Sequence, residues 1–346
     1  MPATFFHSFK NNISEITLPD KFTFPFRYKP HDLCVIAAQE LQQYLESQTD
    51  FEHNFGLQES QIGAATGKMF GVLVVQNSKG TLGYLCAFSG KLANQNHLPH
   101  FVPTVFDMLA EDSFFSKGIK ELTVLNSRVK LLENEPNYTR LTKQIQSEKT
   151  IAFGKLSAEK SRMNDSKKVR VIKRKKIEEE YPDAATALIL TNELVRESLH
   201  DKFIFKELTA FFNTSISEIK EKIAPLSDAI NQLKQERKDK SAALQHKLFT
   251  KYSFLNQYGE LKNLLELFTR NPPAAAGECA APKLLQYAFQ QQLKPIAMAE
   301  FWWGQSPKSD VKAHRAFYPA CTNKCKPILK HMLKGIPMDD IIFYQK

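Results

Sequence analysis

The sequence predicts an α+β protein with a mixed N-terminal α/β unit, a helical, coiled-coil-like middle and a small C-terminal α/β module. Two β-rich apolar runs lie close together near the N-terminus, and the long middle of the chain contains almost no glycine. Both tryptophans and three of the five cysteines lie in the last quarter. With 346 residues, of which 42% are hydrophobic, the chain has room for two or three domains of roughly 100 to 200 residues with packed cores. We expect these domains at 1–125, 126–270 and 271–346.

The N-terminal unit is predicted to contain a helix followed by a β-hairpin. Apolar residues recur at spacings of three and four between residues 31 and 44, which is the pattern of an amphipathic helix. Two further apolar runs lie at 69–76 and 81–89, and the first of them is rich in β-branched residues. The residues between them include Asn77 and Gly80, which are typical of tight turns. The two runs are therefore predicted to pair as neighbouring strands.

The middle of the chain is predicted to be mostly helical from about 116 to 270, with Pro136 and Pro182 interrupting it. Six apolar residues recur at helical spacing and form one seam: Ile216, Ile219, Ile223, Leu226, Ile230 and Leu233. Such a seam requires a partner helix. Because Pro225 falls inside the seam and should bend or restart the helix, we expect a short antiparallel hairpin. A helical scaffold that dimerises through the seam is the alternative.

The net charge of +10 is concentrated in the helical middle. Ten Lys or Arg residues and two acidic residues lie between Lys155 and Lys176, which leaves a local excess of eight positive charges. Such a segment attracts polyanions and gains entropy when counterions leave them, although a solvated helix face has the same composition. The candidate RNA-binding residues of this segment are Lys167, Lys168, Arg170, Lys173, Arg174, Lys175 and Lys176. No aromatic residue lies among them, so contacts to phosphates are expected.

The adjacent tryptophans lie at the end of a predicted strand, 295–302. Neighbouring side chains of a strand point to opposite faces, so one indole is expected in the core while the other is exposed to stack on a base. Trp303 is the candidate for stacking on RNA. The alternative is that both indoles pack between helices on the two sides of a sheet.

Three cysteines of the C-terminal module are candidate metal ligands. Cys279 precedes a predicted helix, 282–289, and Cys321 and Cys325 open another. This order resembles that of zinc-dependent nucleobase deaminases, in which three ligands and a water form an open tetrahedral site. Two features depart from that pattern: three residues separate the cysteine pair where the deaminases have two, and Ala281 stands where their catalytic glutamate belongs. We therefore expect a deaminase-like scaffold without catalysis; a structural zinc site, an active nucleobase deaminase and cysteines that only pack are the alternatives.

Several segments together resemble the N-terminal extension of long bacterial RluA-type RNA pseudouridine synthases. The matching segments are 70–75, 83–93, 277–288, 299–304 and 317–325, and their order extends the resemblance to nearly the whole chain. The resemblance implies an accessory region that holds structured ribosomal or transfer RNA while a pseudouridine synthase catalytic domain isomerises uridine. The family's catalytic aspartate lies in a His-Arg-Leu-Asp motif, but here His314-Arg315 is followed by Ala316. No catalytic residue is therefore assigned, and we expect a separate polypeptide to supply the chemistry or the gene to be shortened.

The cysteine content and the hydropathy predict the cellular setting. Five cysteines form an odd set, and the N-terminal residues lack the apolar run of a secretory leader. We therefore expect a reduced, cytoplasmic protein. No uninterrupted apolar run approaches about 18 residues, so no membrane partner is expected.

Overall fold

The computed structural model describes residues 5–57, 66–110, 112–181, 183–307 and 310–339. The fold is α+β, as the sequence predicts. It divides into two compact units, which we call the sheet unit (Met1–Ile119 with Ala242–Lys346) and the helical unit (Lys120–Ser241). The predicted boundaries near 125 and 270 therefore need correction, because the N-terminal and C-terminal segments belong to one unit.

The elements follow the predicted order except at 250–270, which was predicted to be helical and contains two short strands and a four-residue helix. The helices are α1 (Asp32–Ser47), α2 (Phe114–Glu133), α3 (Pro136–Glu180), α4 (Ala184–Phe249), α5 (Leu264–Leu267), α6 (Ala280–Gln290) and α7 (Thr322–Met332). The strands are β1 (Lys68–Gln76), β2 (Leu82–Phe88), β3 (Ser253–Leu255), β4 (Leu261–Asn263), β5 (Lys294–Trp303) and β6 (Phe317–Tyr318). The predicted N-terminal helix, the hairpin and the helix–strand–helix order of the C-terminal module are confirmed.

The main sheet joins the two ends of the chain. Its strand order is β2-β1-β5-β6, and every neighbouring pair is antiparallel. At the centre, Phe70 of β1 lies opposite Phe88 of β2 on one side and Phe301 of β5 on the other. The backbone N–H and C=O groups of a buried strand need partners on both sides, and β5 provides one side for β1. This long-range pairing makes the predicted N-terminal and C-terminal modules a single unit.

The sheet unit has helices on both faces of the main sheet. Phe70 and Val72 of β1 belong to a buried cluster that includes Leu41 of α1. Leu73 lies on the other face of β1, in a cluster with Leu284 of α6 and with residues of α7. Successive side chains alternate between faces. A strand with helices on both sides therefore buries side chains on both faces and has a continuous run of apolar residues.

Gly71 allows α6 to approach the sheet closely. It lies in β1 on the face that α6 covers, and a Cβ added there would be 3.0 Å from both the Ala280 Cβ and the Leu284 Cδ1. Any larger residue would therefore push α6 away from the strand. The close approach sets the N-terminus of α6, and with it Cys279, against the sheet.

The helical unit is built around an antiparallel hairpin of α3 and α4, which have 45 and 66 residues. Leu141 of α3 packs against Ile219 and Ile223 of α4, while Asp201 of α4 contacts Arg170 nearer the end of α3. The six seam residues of α4 are all buried or half-buried. The predicted seam is confirmed, and its partner helix belongs to the same chain.

The hairpin is longer than expected, because α4 continues through Pro225. A proline inside a helix removes one backbone hydrogen bond and costs about 3 kcal/mol. Pro225 is exposed, and the seam residues Ile223 and Ile230 on either side of it are buried. Packing of the seam offsets the cost of the proline, so the helix does not restart at Pro225.

Within the described ranges, no helix is both long and apolar enough to cross a lipid bilayer.

Candidate functional site

The basic segment forms part of α3 in the helical unit, and most of its predicted RNA-binding side chains face solvent. Six of the seven are exposed: Lys167, Lys168, Lys173, Arg174, Lys175 and Lys176. Arg170 is the exception, because it is only 9% exposed and its Nη1 lies 2.6 Å from the Asp201 carboxylate. The expectation that Arg170 contacts phosphate as a free cation therefore needs correction. Its position on α3 faces α4, where a charge requires a partner.

Asp201 links two arginines of α3 to α4. Its carboxylate accepts hydrogen bonds from Arg162 at 2.7 Å and from Arg170 at 2.6 Å. The bond from Arg162, together with that from Arg170, lowers the pKa of the Asp201 carboxyl, while burial opposes the shift. The carboxylate therefore stays charged and neutralises part of the basic segment.

Two other predicted cations are also paired. Lys168 lies 2.9 Å from Asp165, and Lys173 lies 3.8 Å from Glu197. All four side chains are about half exposed or more, so the pairs are worth little in energy. They nevertheless reduce the net charge on that side of the hairpin.

The other side of the hairpin carries a groove between α3 and α4 with a volume of about 320 Å³. Its lining residues are Met163, Asn164, Lys167, Arg170, Val171, Arg174, Ser198 and Lys202. Four of them are cationic and none is acidic. No ion pair between described residues involves Lys167, Arg174 or Lys202. The groove, which we call the basic groove, therefore keeps most of its positive charge.

Lys202 is a groove residue that the sequence analysis missed. It lies on α4, outside the basic segment, and reaches the groove because α4 runs antiparallel to α3. A helical wheel of α4 would have placed Lys202 on the side of the seam, which faces α3. Only the alignment of the two helices shows that Lys202 lies near Lys167 and Arg174.

Trp303 does not lie where the RNA-stacking prediction requires. Its side chain is 2% exposed on the face of the sheet that α1 covers. The His314 ring lies 4.4 Å from the indole, and the Arg315 guanidinium lies 5.2 Å from it. Trp303 is therefore covered and cannot stack on a base. The alternation of the two indoles is confirmed, because Trp302 on the other face is half-buried and its Nε1 donates to the Gln305 carbonyl.

The three cysteines predicted as metal ligands come together in the sheet unit. Cys279 is the N-cap of α6, Cys321 is the N-cap of α7, and Cys325 lies in the first turn of α7. The sulfur of Cys321 lies 3.8 Å from that of Cys279 and 3.4 Å from that of Cys325. All three sulfurs lie within 4.8 Å of one another. We call this set the cysteine cluster.

Each thiol of the cluster shifts the pKa of the other two. Contacts with the Cys279 and Cys325 thiols lower the pKa of the Cys321 thiol far below its ordinary value, while burial opposes the shift. The contact with Cys321 raises the pKa of the Cys279 thiol, although the contact with Cys325 opposes this shift. Contacts with Cys279 and Cys321, together with burial, raise the pKa of the Cys325 thiol. The direction of the shift at Cys321 agrees with its position, because the N-terminus of a helix favours a thiolate.

Glu300 adds a carboxyl group to the surroundings of the cluster. It lies opposite Gly71 in the sheet, is 4% exposed, and accepts a hydrogen bond from the Ala281 N–H at 3.3 Å. Burial, with the nearby charge of Cys321, raises its pKa to about 8. It lines a pocket of about 530 Å³ together with residues that include Cys279 and Cys321. Spacing along the sequence did not predict that Glu300 lies near these cysteines, because the pairing of β5 with β1 brings it to the start of α6.

Comparison of the chain with protein-family models, with curated proteins and with solved structures found no match. Its function is therefore inferred from the chemistry of the basic groove and the cysteine cluster.

Proposed function

We propose that this chain is an accessory RNA-binding region that holds structured RNA in the basic groove while an RluA-type pseudouridine synthase catalytic domain, in cis or in trans, isomerises uridine. The observation that carries the RNA-binding part is the groove itself. Two helices bring Lys167, Arg170, Arg174 and Lys202 to one depression without an acidic residue in its lining.

The charge distribution of the hairpin favours a polyanion in the groove. On the opposite side, Arg162, Lys168 and Lys173 have acidic partners within 4.0 Å. Among the groove cations, Arg170 is the one that forms an ion pair with another described residue, Asp201. Positive charge without internal partners binds phosphate and releases the counterions that surround a nucleic acid.

The spacing of the cations suits an extended ligand. Lys160, Lys167 and Arg174 recur every seven residues and are exposed, so they lie on the same side of α3 about 10 Å apart along its axis. A row of this kind contacts successive phosphates of one strand better than it contacts a small isolated anion.

The chemistry of the groove favours recognition of RNA shape over base sequence. Its lining contains no aromatic side chain, and Trp303 is buried, so stacking on bases has no support there. Lys and Arg contacts to phosphates position a nucleic acid without reading its bases. Structured ribosomal or transfer RNA, which proteins recognise by backbone geometry, fits this surface.

The involvement of a pseudouridine synthase domain depends on the resemblance of this chain to the extension found in RluA-type enzymes. The motif that carries the catalytic aspartate in that family is absent from this sequence. The proposed role is therefore to bind and position the RNA.

The RNA-binding part is tested by measuring the affinity of the full chain for a fluorescent RNA stem-loop across a salt series. Changing Lys167, Arg174 and Lys202 together to glutamine removes three unpaired cations from the groove. We expect affinity at low salt to fall steeply and the slope of log K against log salt to become shallower by about 2 to 3, at about 0.7 to 0.9 for each lost contact.

The matched control changes three lysines of the same two helices outside the groove: Lys143, Lys220 and Lys222, all exposed. It has the same net charge as the groove variant, so affinity close to wild type would show that the position of the charges matters. Equal losses in both variants, or RNA binding that ignores salt, would refute the groove as the RNA site.

The positioning role has a separate test in trans. An RluA-type catalytic domain acts on the structured RNA with and without the full chain, and pseudouridine formation is measured. We expect faster conversion with the wild-type chain and no acceleration with the groove variant. If the chain binds RNA but does not accelerate pseudouridine formation, the basic groove remains an RNA-binding site and the accessory role is rejected.

A further inference from the structure

We infer that Cys279, Cys321 and Cys325 bind one zinc ion in the sheet unit, with a fourth coordination position that faces the pocket containing Glu300. This site is independent of the basic groove, which lies in the helical unit.

The sulfur positions match those around a tetrahedral zinc ion. Two thiolates bound to zinc at about 2.3 Å with a tetrahedral angle between them lie about 3.8 Å apart. The Cys279–Cys321 sulfur distance is 3.8 Å and the Cys321–Cys325 distance is 3.4 Å. An ion at the centre of the three sulfurs therefore reaches all of them with small side-chain movements.

The capping positions give an independent argument. Cys279 and Cys321 are the N-caps of α6 and α7, yet neither side chain makes a capping hydrogen bond. Ser, Thr, Asn or Asp at an N-cap commonly stabilises a helix by about 1 kcal/mol. Cysteine at both N-caps gives up this stabilisation. Metal binding accounts for the choice, because thiolates bind zinc strongly and hydroxyl groups do not.

The burial of the ligands fits an open site. Cys325 is buried, Cys279 is half-buried and Cys321 is exposed, so the cluster lies at the edge of the core with access to solvent. The adjoining pocket has Ser89, Glu300 and Asn323 among its polar lining residues. Three protein ligands leave one position of a tetrahedral ion vacant for a water, and the pocket provides space for it.

The test uses the full chain purified under reducing conditions without chelator, followed by measurement of its zinc content. We expect about one zinc ion per chain. Replacement of zinc by Co²⁺ should produce the intense thiolate-to-cobalt absorption of a sulfur-rich tetrahedral site. Zinc should also raise the Tm relative to protein in EDTA, because the ion binds the folded chain.

Cys279→Ser separates loss of metal from failure to fold. Serine is a good N-cap, so the metal-free variant should be at least as stable as the metal-free wild type, while its zinc affinity should fall by more than about 100-fold. Cys34→Ala is the matched control. Cys34 is a buried residue of α1 and lies in a different part of the core from the cysteine cluster, so its replacement should leave the zinc content unchanged.

Three results would overturn the inference. The first is that the reduced chain, reconstituted with zinc, fails to retain the ion. The second is that Cys279→Ser retains zinc as well as wild type does. The third is that anaerobically purified protein contains a Cys321–Cys325 disulfide in place of the metal.

Discussion

At the scale of single residues, buried polar side chains hold the segments of the sheet unit in place. Glu40 of α1 is 2% exposed, and its carboxylate accepts hydrogen bonds from the backbone N–H groups of Lys10 and Asn11 and from the Tyr84 hydroxyl. Lys283 of α6 is equally buried, and its Nζ donates to two backbone carbonyls at the end of β2. Loss of such a group leaves buried partners unsatisfied, so these polar residues fix where segments meet.

His100 should make the sheet unit sensitive to acid. Its ring stacks between His7 at 3.9 Å and Tyr44 at 4.1 Å. Burial, with the charges of His7 and Lys10, lowers its pKa from 6.5 to about 4, while Asp50 opposes the shift. Between these two values the folded state binds fewer protons than the unfolded state, so stability falls as the pH falls from about 6.5 toward 4.

His100→Phe keeps a stacked ring and removes the titration. We expect the free energy of unfolding to depend less on pH between about 4 and 6.5 than in wild type. Urea unfolding followed by tryptophan fluorescence measures this, since both tryptophans lie in the sheet unit. His246→Gln, at an exposed position, is the control that should keep the wild-type slope. An unchanged slope in His100→Phe would contradict the prediction.

At the scale of elements, the α3–α4 hairpin combines an apolar seam with buried charge. The seam packs Ile219 and Ile223 against Leu141. Farther along the hairpin, Arg170 and Asp201 face each other at 9% and 5% exposure. An apolar seam tolerates slippage by one turn, whereas a buried ion pair is satisfied in one register only. Arg170 and Asp201 therefore specify how α3 and α4 align, and that alignment brings Lys202 to the basic groove.

Removing one member of the Arg170–Asp201 pair should lower the free energy of unfolding much more than replacing both members with apolar residues. Asp201→Leu leaves Arg170 buried without its partner and should destabilise the helical unit by about 3 kcal/mol. The double variant Arg170→Met with Asp201→Leu should be close to wild type in stability, because two apolar side chains pack at the same place. Urea unfolding followed by far-ultraviolet circular dichroism measures both.

The control for this comparison is Arg170→Met alone, which leaves the Asp201 carboxylate with Arg162 as a partner and should cost less than Asp201→Leu. If the losses in unfolding free energy of the two single variants simply add in the double variant, the two side chains are not coupled. The proposal that this pair specifies the helix register then fails.

At the scale of the whole molecule, the chain leaves the sheet unit after Ile119 and returns to it at Ala242. β1 and β2 precede the helical unit in the chain, and β5 follows it. Because β1 lies between β2 and β5, neither end of the chain can complete the sheet alone.

The sheet unit should therefore fold without the helical unit but not without either end. Gly118 and Leu244 lie in contact, since a Cβ on Gly118 would be 2.6 Å from the Leu244 Cδ1, so a short Gly-Ser linker can join Ile119 to Ala242. We expect this shortened chain to unfold cooperatively, whereas 1–125 and 271–346 expressed separately remain unfolded. Amide dispersion in NMR spectra distinguishes folded from unfolded protein for all three chains. Tryptophan fluorescence during urea unfolding measures the cooperativity of the shortened chain, which keeps Trp302 and Trp303. A folded 1–125 fragment would show that the predicted domain boundary was right.

Local patterns in the sequence predicted most of the elements. The spacing of apolar residues identified α1 and the seam of α4, and short apolar runs identified β1, β2 and β5. The cysteines at the starts of α6 and α7 were also recognised as a set. These successes share one physical reason: helix and strand periodicity, capping positions and turn residues act over a few neighbouring residues.

Only the tertiary structure decided which elements meet. The pairing of β1 with β5 merged two predicted modules and placed Glu300 near the cysteine cluster. The return of the chain over Trp303 buried the indole expected to stack on RNA, and the alignment of α4 with α3 added Lys202 to the groove. Contacts between residues far apart in the chain depend on how all apolar faces are buried together and on which backbone groups find partners. No local pattern contains that information, so the sequence by itself determined the elements and their charges, and the packing of the chain decided the sites.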